Sequence, residues 1–174
     1  MSADETGPSA DRAGDPGLLT TVVSALYESG WALDVDWDLE TFDVLPRDGE
    51  GEPLLGVVMS HSRAVAFYRV HPEHLPVGAR AAVAAFVTRQ NTLLVTSAFE
   101  LNLDTGNLSL RSGFAFPDME LDLPVVQAIL DRLVCEVEAV HERTQPELES
   151  VIARAIRVGA TPTADDPPTP EDHA

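Results

Sequence analysis

The chain has 174 residues, enough for one domain that buries a core without disulfide staples. Its net charge is −18, with 29 acidic residues against 11 basic ones, all of them Arg. A surface so acidic repels phosphate backbones and anionic lipid heads, so neither nucleic acid nor membrane is expected as a partner.

Cys135 is the single cysteine, which excludes an internal disulfide and suits a reducing compartment. Between Val134 and Val137 it is expected as a buried, inert thiol. The first residues lack a basic-then-apolar leader pattern, and no apolar run reaches the roughly 18 residues of a membrane span. A cytoplasmic address is therefore expected.

Residues 1–15 are Ser, Ala, Asp, Gly and Pro without periodicity, and 159–174 are rich in Pro and acid. Neither has the apolar content to offset ordering entropy, so both are predicted to be disordered tails around one domain spanning 16–158. The first helix is predicted to begin at Asp15 and Pro16, a cap and a first-turn proline, and to end at Gly30. Leu18, Leu19, Val22, Val23 and Leu26 follow helical spacing between them.

Trp31, Leu33, Val35 and Trp37 then alternate with Ala32, Asp34, Asp36 and Asp38, the pattern of a strand with one apolar and one acidic face. Phe42, Val44 and Leu45 extend that strand after a kink, and Pro46 to Pro53 reads as an exposed loop. Strands are predicted over 54–60 and 64–70. A second helix follows from about Val77 to Leu94, its apolar side marked by Ala79, Val83 and Phe86. Phe99, Leu101 and Leu103, then Leu108 and Leu110, alternate around Asp104-Thr105-Gly106-Asn107, a hairpin. A third helix starts near Asp122, and Thr144, Pro146 and Glu147 mark the start of a separate last one. The expected class is α+β: a largely antiparallel sheet of about five strands with helices packed on it, in the order α-β-β-β-α-β-β-α plus a C-terminal helix.

Asn91-x-x-Leu94, Phe99-Glu100-Leu101, Asp104-x-Gly106 and Leu108-x-Leu110-Arg111 resemble the YbjN family, as do His71-Pro72-Glu73 through Arg80 and Pro146-Glu147-Leu148. The resemblance spans roughly 17–157, with Ser97 where the family pattern suggests a glycine-like position. It implies the fold of type III secretion chaperones and a sensory or stress-related regulator with no assigned enzyme activity. Asn91, Phe99 and Gly106 are its structural core, with Asn91 expected to bond free backbone groups at a helix end.

Chemistry-bearing clusters are sparse. His71, Glu73 and His74 have a spacing that could reach a metal, but Pro72 and Pro76 disturb it and a surface loop is expected. Asp34, Asp36 and Asp38 read as a solvated strand face rather than a calcium or acid–base site. Cys135 and His141, six residues apart, fall on nearly opposite faces of a helix. There is no nucleophile elbow and no glycine-rich phosphate loop. No enzyme activity, cofactor or metal is expected. Ionisable groups are expected to converge nowhere. The expected partner is another protein, or a second copy in a homodimer; Trp31, Trp37, Phe42, Leu18 and Val22 are the candidates to meet it, most of them expected in the core, and a sheet face opposite the helices is where an uncovered one would mark the site. A small-ligand or metal-sensing domain is the alternative.

Overall fold

A computed structural model describes residues 17–47, 49–117 and 122–159. The predicted tails, except Gly159, and the Asp15–Pro16 helix start lie outside the described residues. The elements are α1 (Leu18–Glu28), β1 (Leu33–Asp36), β2 (Thr41–Val44), β3 (Leu54–Met59), a 3-10 turn at Ser60–Ser62, β4 (Ala64–Val70), α2 (Val77–Asn91), β5 (Ser97–Leu101), β6 (Leu108–Ala115) and α3 (Leu123–Gly159). The protein is an α+β fold whose six strands form one sheet in the order β1-β2-β3-β4-β6-β5, every neighbouring pair antiparallel.

The sixth strand comes from the segment predicted as a kinked extension. Asp36 Oδ1 accepts hydrogen bonds from the N–H groups of Asp38 and Leu39, and Glu40 takes a left-handed φ of 53°. The chain therefore reverses, and Phe42 pairs with Val35 rather than continuing it. The predicted break at Pro146 is also absent: α3 is one helix of 37 residues with Pro146 inside it. Leu133, Val137, Val140 and Leu148 lie on both sides of that proline and are all buried, so packing carries the helix past the lost backbone bond.

α1 ends as the sequence implies. Gly30, at φ 83°, lets its N–H reach Tyr27 O while Trp31 N–H reaches Leu26 O, which satisfies the last carbonyls. Trp31 is thereby turned inward, and its Nε1 donates to Asp131 Oδ1 of α3 at 2.7 Å.

Strand register decides which face is core. Phe42, Gly56, Phe67 and Ser112 are cross-strand neighbours on one face, followed by Leu110 and Phe99 further along β6 and β5. Phe42 meets Phe67 edge-on at 5.8 Å, and Phe86 of α2 meets Phe99 at 6.3 Å. Glu136 of α3 accepts a hydrogen bond from Ser97 on that same face. The fully buried Phe42, Phe67 and Phe86 each contribute about 1.5–3 kcal/mol of apolar burial. Gly56 is required there, because a Cβ would sit 2.3 Å from the Phe42 ring.

Candidate functional site

With the helices on one side, the other sheet face carries Leu55, Val57 and Met59 of β3 beside Ala64, Ala66, Tyr68 and Val70 of β4. No helix among the described residues covers it. Leu55 stands opposite Tyr68 and Val57 opposite Ala66, so the apolar side chains form a continuous strip across the two central strands. Val70 remains 49% exposed and Met59 38%. Gly113 of β6 extends the flat ground beside Ala66, where a Cβ would crowd Val65 O at 3.0 Å. Asp34, Asp36 and Asp43 border the strip on the β1–β2 side. Arg111 and Glu100 border it on the other, paired at 2.6 Å and largely solvated, a contact worth at most about 1 kcal/mol. Burial and the nearby Glu100 carboxylate raise the Tyr68 phenol above its usual pKa, while Arg111 works the other way.

The residues expected to meet a partner divide differently. Trp31, Phe42 and Val22 are buried at 4%, 2% and 0% exposure, so they build the core and are not available to a partner. The physical reason is register: Phe42 lies on the helix-covered face, and Val22 on the inner side of α1. Leu18 packs half-buried at the margin of the core. Trp37 is 56% exposed in the β1–β2 turn. In the sequence Leu55, Val57 and Tyr68 read as ordinary strand residues. The available signal was that β3 and β4 are apolar at successive positions, as strands covered on both faces would be.

A second feature lies on the helical side, at the end of the sheet under the C-terminal half of α3. It is a cleft of ≈ 580 Å³ with a floor of Phe99, Leu108, Leu110 and Leu148. Its rim includes Glu50, Glu52, Glu138 and Glu142 together with Arg47, Arg69, His71 and His141. Ionisable groups therefore do gather in one place, against the expectation from sequence, because register sets Arg69 on the core face opposite Leu110. Arg69 Nη1 donates to the carbonyl of Glu52, while its Nε is shut from solvent without a hydrogen-bond partner. Burial, followed by the Arg69 charge, holds the His141 imidazole below its usual pKa, although Glu52 and Glu142 oppose the shift. Arg47 stacks its guanidinium 3.9 Å from the Trp31 ring at one wall.

Other candidates are local structure. His71 Nδ1 lies 2.8 Å from Glu73 O and 3.3 Å from Glu73 N, closing a turn. Among the described residues, no group of three or more His, Cys, Asp or Glu is placed to hold a metal ion. Cys135 is exposed, contrary to the buried thiol expected, because Val134 and Val137 take the inward phase of α3 and turn the residue between them outward. Asn91 and Phe99 are hydrogen-bonded to each other. Gly106, at φ 82°, closes the β5–β6 turn. No helix among the described residues is long and apolar enough to cross a membrane.

No family model matches the chain, and no curated protein does. Among solved structures it is similar to YbjN, a proposed transcription regulator from E. coli, with a TM-score of 0.58 and 12% identity over 76% of this chain and 93% of that one. A shallower similarity, with a TM-score of 0.45 and 13% identity over 72% of this chain and 95% of the other, is to the HopA1–SchA chaperone–effector complex. The likeness to YbjN is one of fold: the six-stranded antiparallel sheet with its helices is shared, while so low an identity does not by itself place the chain in that family.

Proposed function

We propose that this chain is a non-enzymatic, cytoplasmic protein-interaction module of the YbjN type, chaperone-like or regulatory, that docks a partner protein on the bare face of its sheet. The observation that carries the reading is the apolar strip of Leu55, Val57, Tyr68 and Val70 on a face without a helix. A contiguous apolar patch costs free energy in water and is commonly relieved by a partner. Asp34, Asp36 and Asp43 beside it select a partner whose apolar segment is flanked by basic residues. The same acidity disfavours nucleic acid and anionic membrane. A non-enzymatic role agrees with the outward position of the only thiol, away from the His141 cleft.

The test is affinity capture from the native host with the wild-type chain and with Val57→Asp, both checked for native circular dichroism. Proteins held by the wild type should be released by the variant and by raised salt. An identical set retained by both would end the assignment to this face. A homodimer through the strip is a second reading, and sedimentation at micromolar concentration decides it. Two like-charged rims oppose such pairing, so a dimer would strengthen as salt rises.

A further inference from the structure

We propose that the cleft beneath α3 binds a small zwitterion with an apolar side chain, a free apolar α-amino acid or a short apolar peptide. Three observations combine to define that chemistry. The first is Arg69. It interrupts an apolar surface, standing next to Leu110 in the sheet with Phe67 two positions before it, both of them buried. Its Nη1 is engaged by the Glu52 carbonyl and its Nε is shut from solvent, so Nη2 is the guanidinium nitrogen left for a ligand acceptor. A guanidinium nitrogen of this kind forms a charge-assisted hydrogen bond to a carboxylate oxygen.

The second observation is the balance of charge. Glu50, Glu52, Glu138 and Glu142 outnumber Arg47 and Arg69 around the opening. A simple anion would be drawn to Arg69 but repelled by this rim, and a simple cation would leave the Arg69 Nη2 unmet. A ligand carrying a carboxylate and an ammonium a few bonds apart answers both. The third is the floor. Phe99, Leu108, Leu110 and Leu148 offer an apolar seat, and ≈ 580 Å³ lies within the usual range of small-ligand sites. His141, whose neutral form burial favours, stands in the same wall as a hydrogen-bonding group without a competing charge.

The cleft opens on the helical side of the sheet and the bare strip on the other, with Val70 at the sheet's end lining both, so Arg69→Met and Val57→Asp test the two inferences separately. The experiment is isothermal titration of the full chain with leucine, leucyl-leucine, N-acetyl-leucine and leucinamide. Leucine or leucyl-leucine should bind saturably, and whichever is tighter identifies the source, amino acid or peptide. N-acetyl-leucine, without the ammonium, and leucinamide, without the carboxylate, should each bind at least about tenfold more weakly. Arg69→Met should abolish binding, and Arg69→Lys, which keeps the charge but not the position of the Nη2 donor, should weaken it about tenfold or more. No saturable binding of either zwitterion at millimolar concentration would overturn the proposal. So would equal binding of all four compounds, a result that needs no variant to fold. Unchanged affinity in a folded Arg69→Met protein would do the same.

Discussion

The side-chain amide of Asn91 pairs with the backbone of Phe99 in both directions: Nδ2 donates to Phe99 O at 3.0 Å, and Phe99 N–H donates to Asn91 Oδ1 at 2.8 Å. β5 is the outer strand of the sheet, so Asn91, the last residue of α2, acts as a one-residue strand closing that edge at Phe99. Replacement by Ala leaves a donor and an acceptor of a buried residue unpaired and should cost about 1–3 kcal/mol. Asn91→Asp keeps the acceptor but turns an anion toward the Phe99 carbonyl, and should cost at least as much at neutral pH. Urea denaturation of the three proteins measures both; equal midpoints would show that the pairing contributes nothing.

The β5–β6 turn depends on Gly106 and Arg80 together. A Cβ on Gly106 would stand 2.4 Å from Leu75 O, in a backbone conformation of φ 82° that side chains rarely adopt. Arg80 meanwhile donates to the carbonyls of Leu103, Asp104 and Thr105 in the turn and of Leu75 ahead of α2, tying the turn to that helix's start. Gly106→Ala should therefore destabilise by about 1–3 kcal/mol. Arg80→Met keeps the stem packed and should instead act locally, speeding amide exchange of residues 102–107 with a smaller change in melting temperature. Exchange at those amides identical to wild type would refute the role given to Arg80.

Acid should weaken the fold in two stages. The His141 imidazole has its pKa lowered by burial and then by Arg69, so the unfolded chain takes up its proton first. The His141 contribution is complete above its usual value of 6.5 and is lost as pH falls through the lowered value in the folded chain. Glu136 loses its contribution at lower pH. Burial works to raise its pKa, but hydrogen bonds from Ser97 at 2.6 Å and Thr96 at 2.5 Å, with help from Arg132, outweigh it and lower the pKa. Its stabilisation is complete above the ordinary 4.5 and disappears as the carboxylate protonates below that. The stability difference between wild type and Glu136→Gln, followed by urea midpoints from pH 8 to pH 3, should be flat until that lower window and then shrink. A difference that grows on acidification would contradict the hydrogen-bonded carboxylate.

Cys135 is open to solvent on the outer side of α3. A disulfide reagent should modify it fully in the native protein, at a rate independent of added urea below the unfolding transition. Modification that waits for unfolding would put the thiol inside.

Much of the architecture was legible because it is local. Alternation placed Leu33 with Val35 and Phe99 with Leu101 in strands, and the Asp104–Asn107 turn joined the last two strands as predicted. Where local signals were weak or misleading, prediction strayed. The β1–β2 turn at 37–40 holds no Gly or Pro and is made by Asp36 and a left-handed Glu40, so a reversal looked like a kink. Pro146 looked like a helix boundary because its missing N–H is a local cost, whereas the buried residues on either side of it are held by contacts distant in sequence.

Neither surface could be located from the sequence. An apolar alternation says that a strand has a buried side, not which side the helices will take, so Trp31, Phe42 and Val22 fit core and partner surface alike until register buries them and leaves Leu55, Val57 and Tyr68 on the other face. The cleft joins Glu52, Arg69 and His141, which are far apart along the chain and meet only once β4, β5 and β6 are in register beneath α3. Periodicity and turn chemistry, both short-range, determined the elements, their order and the acidic character of the surface. Which apolar residues stay in water, and which charges share a cleft, was decided by strand register and by α1, α2 and α3 packing on the sheet face that carries Phe42, Phe67 and Phe99. Those are long-range choices, because burying one face necessarily leaves the other for something else to cover.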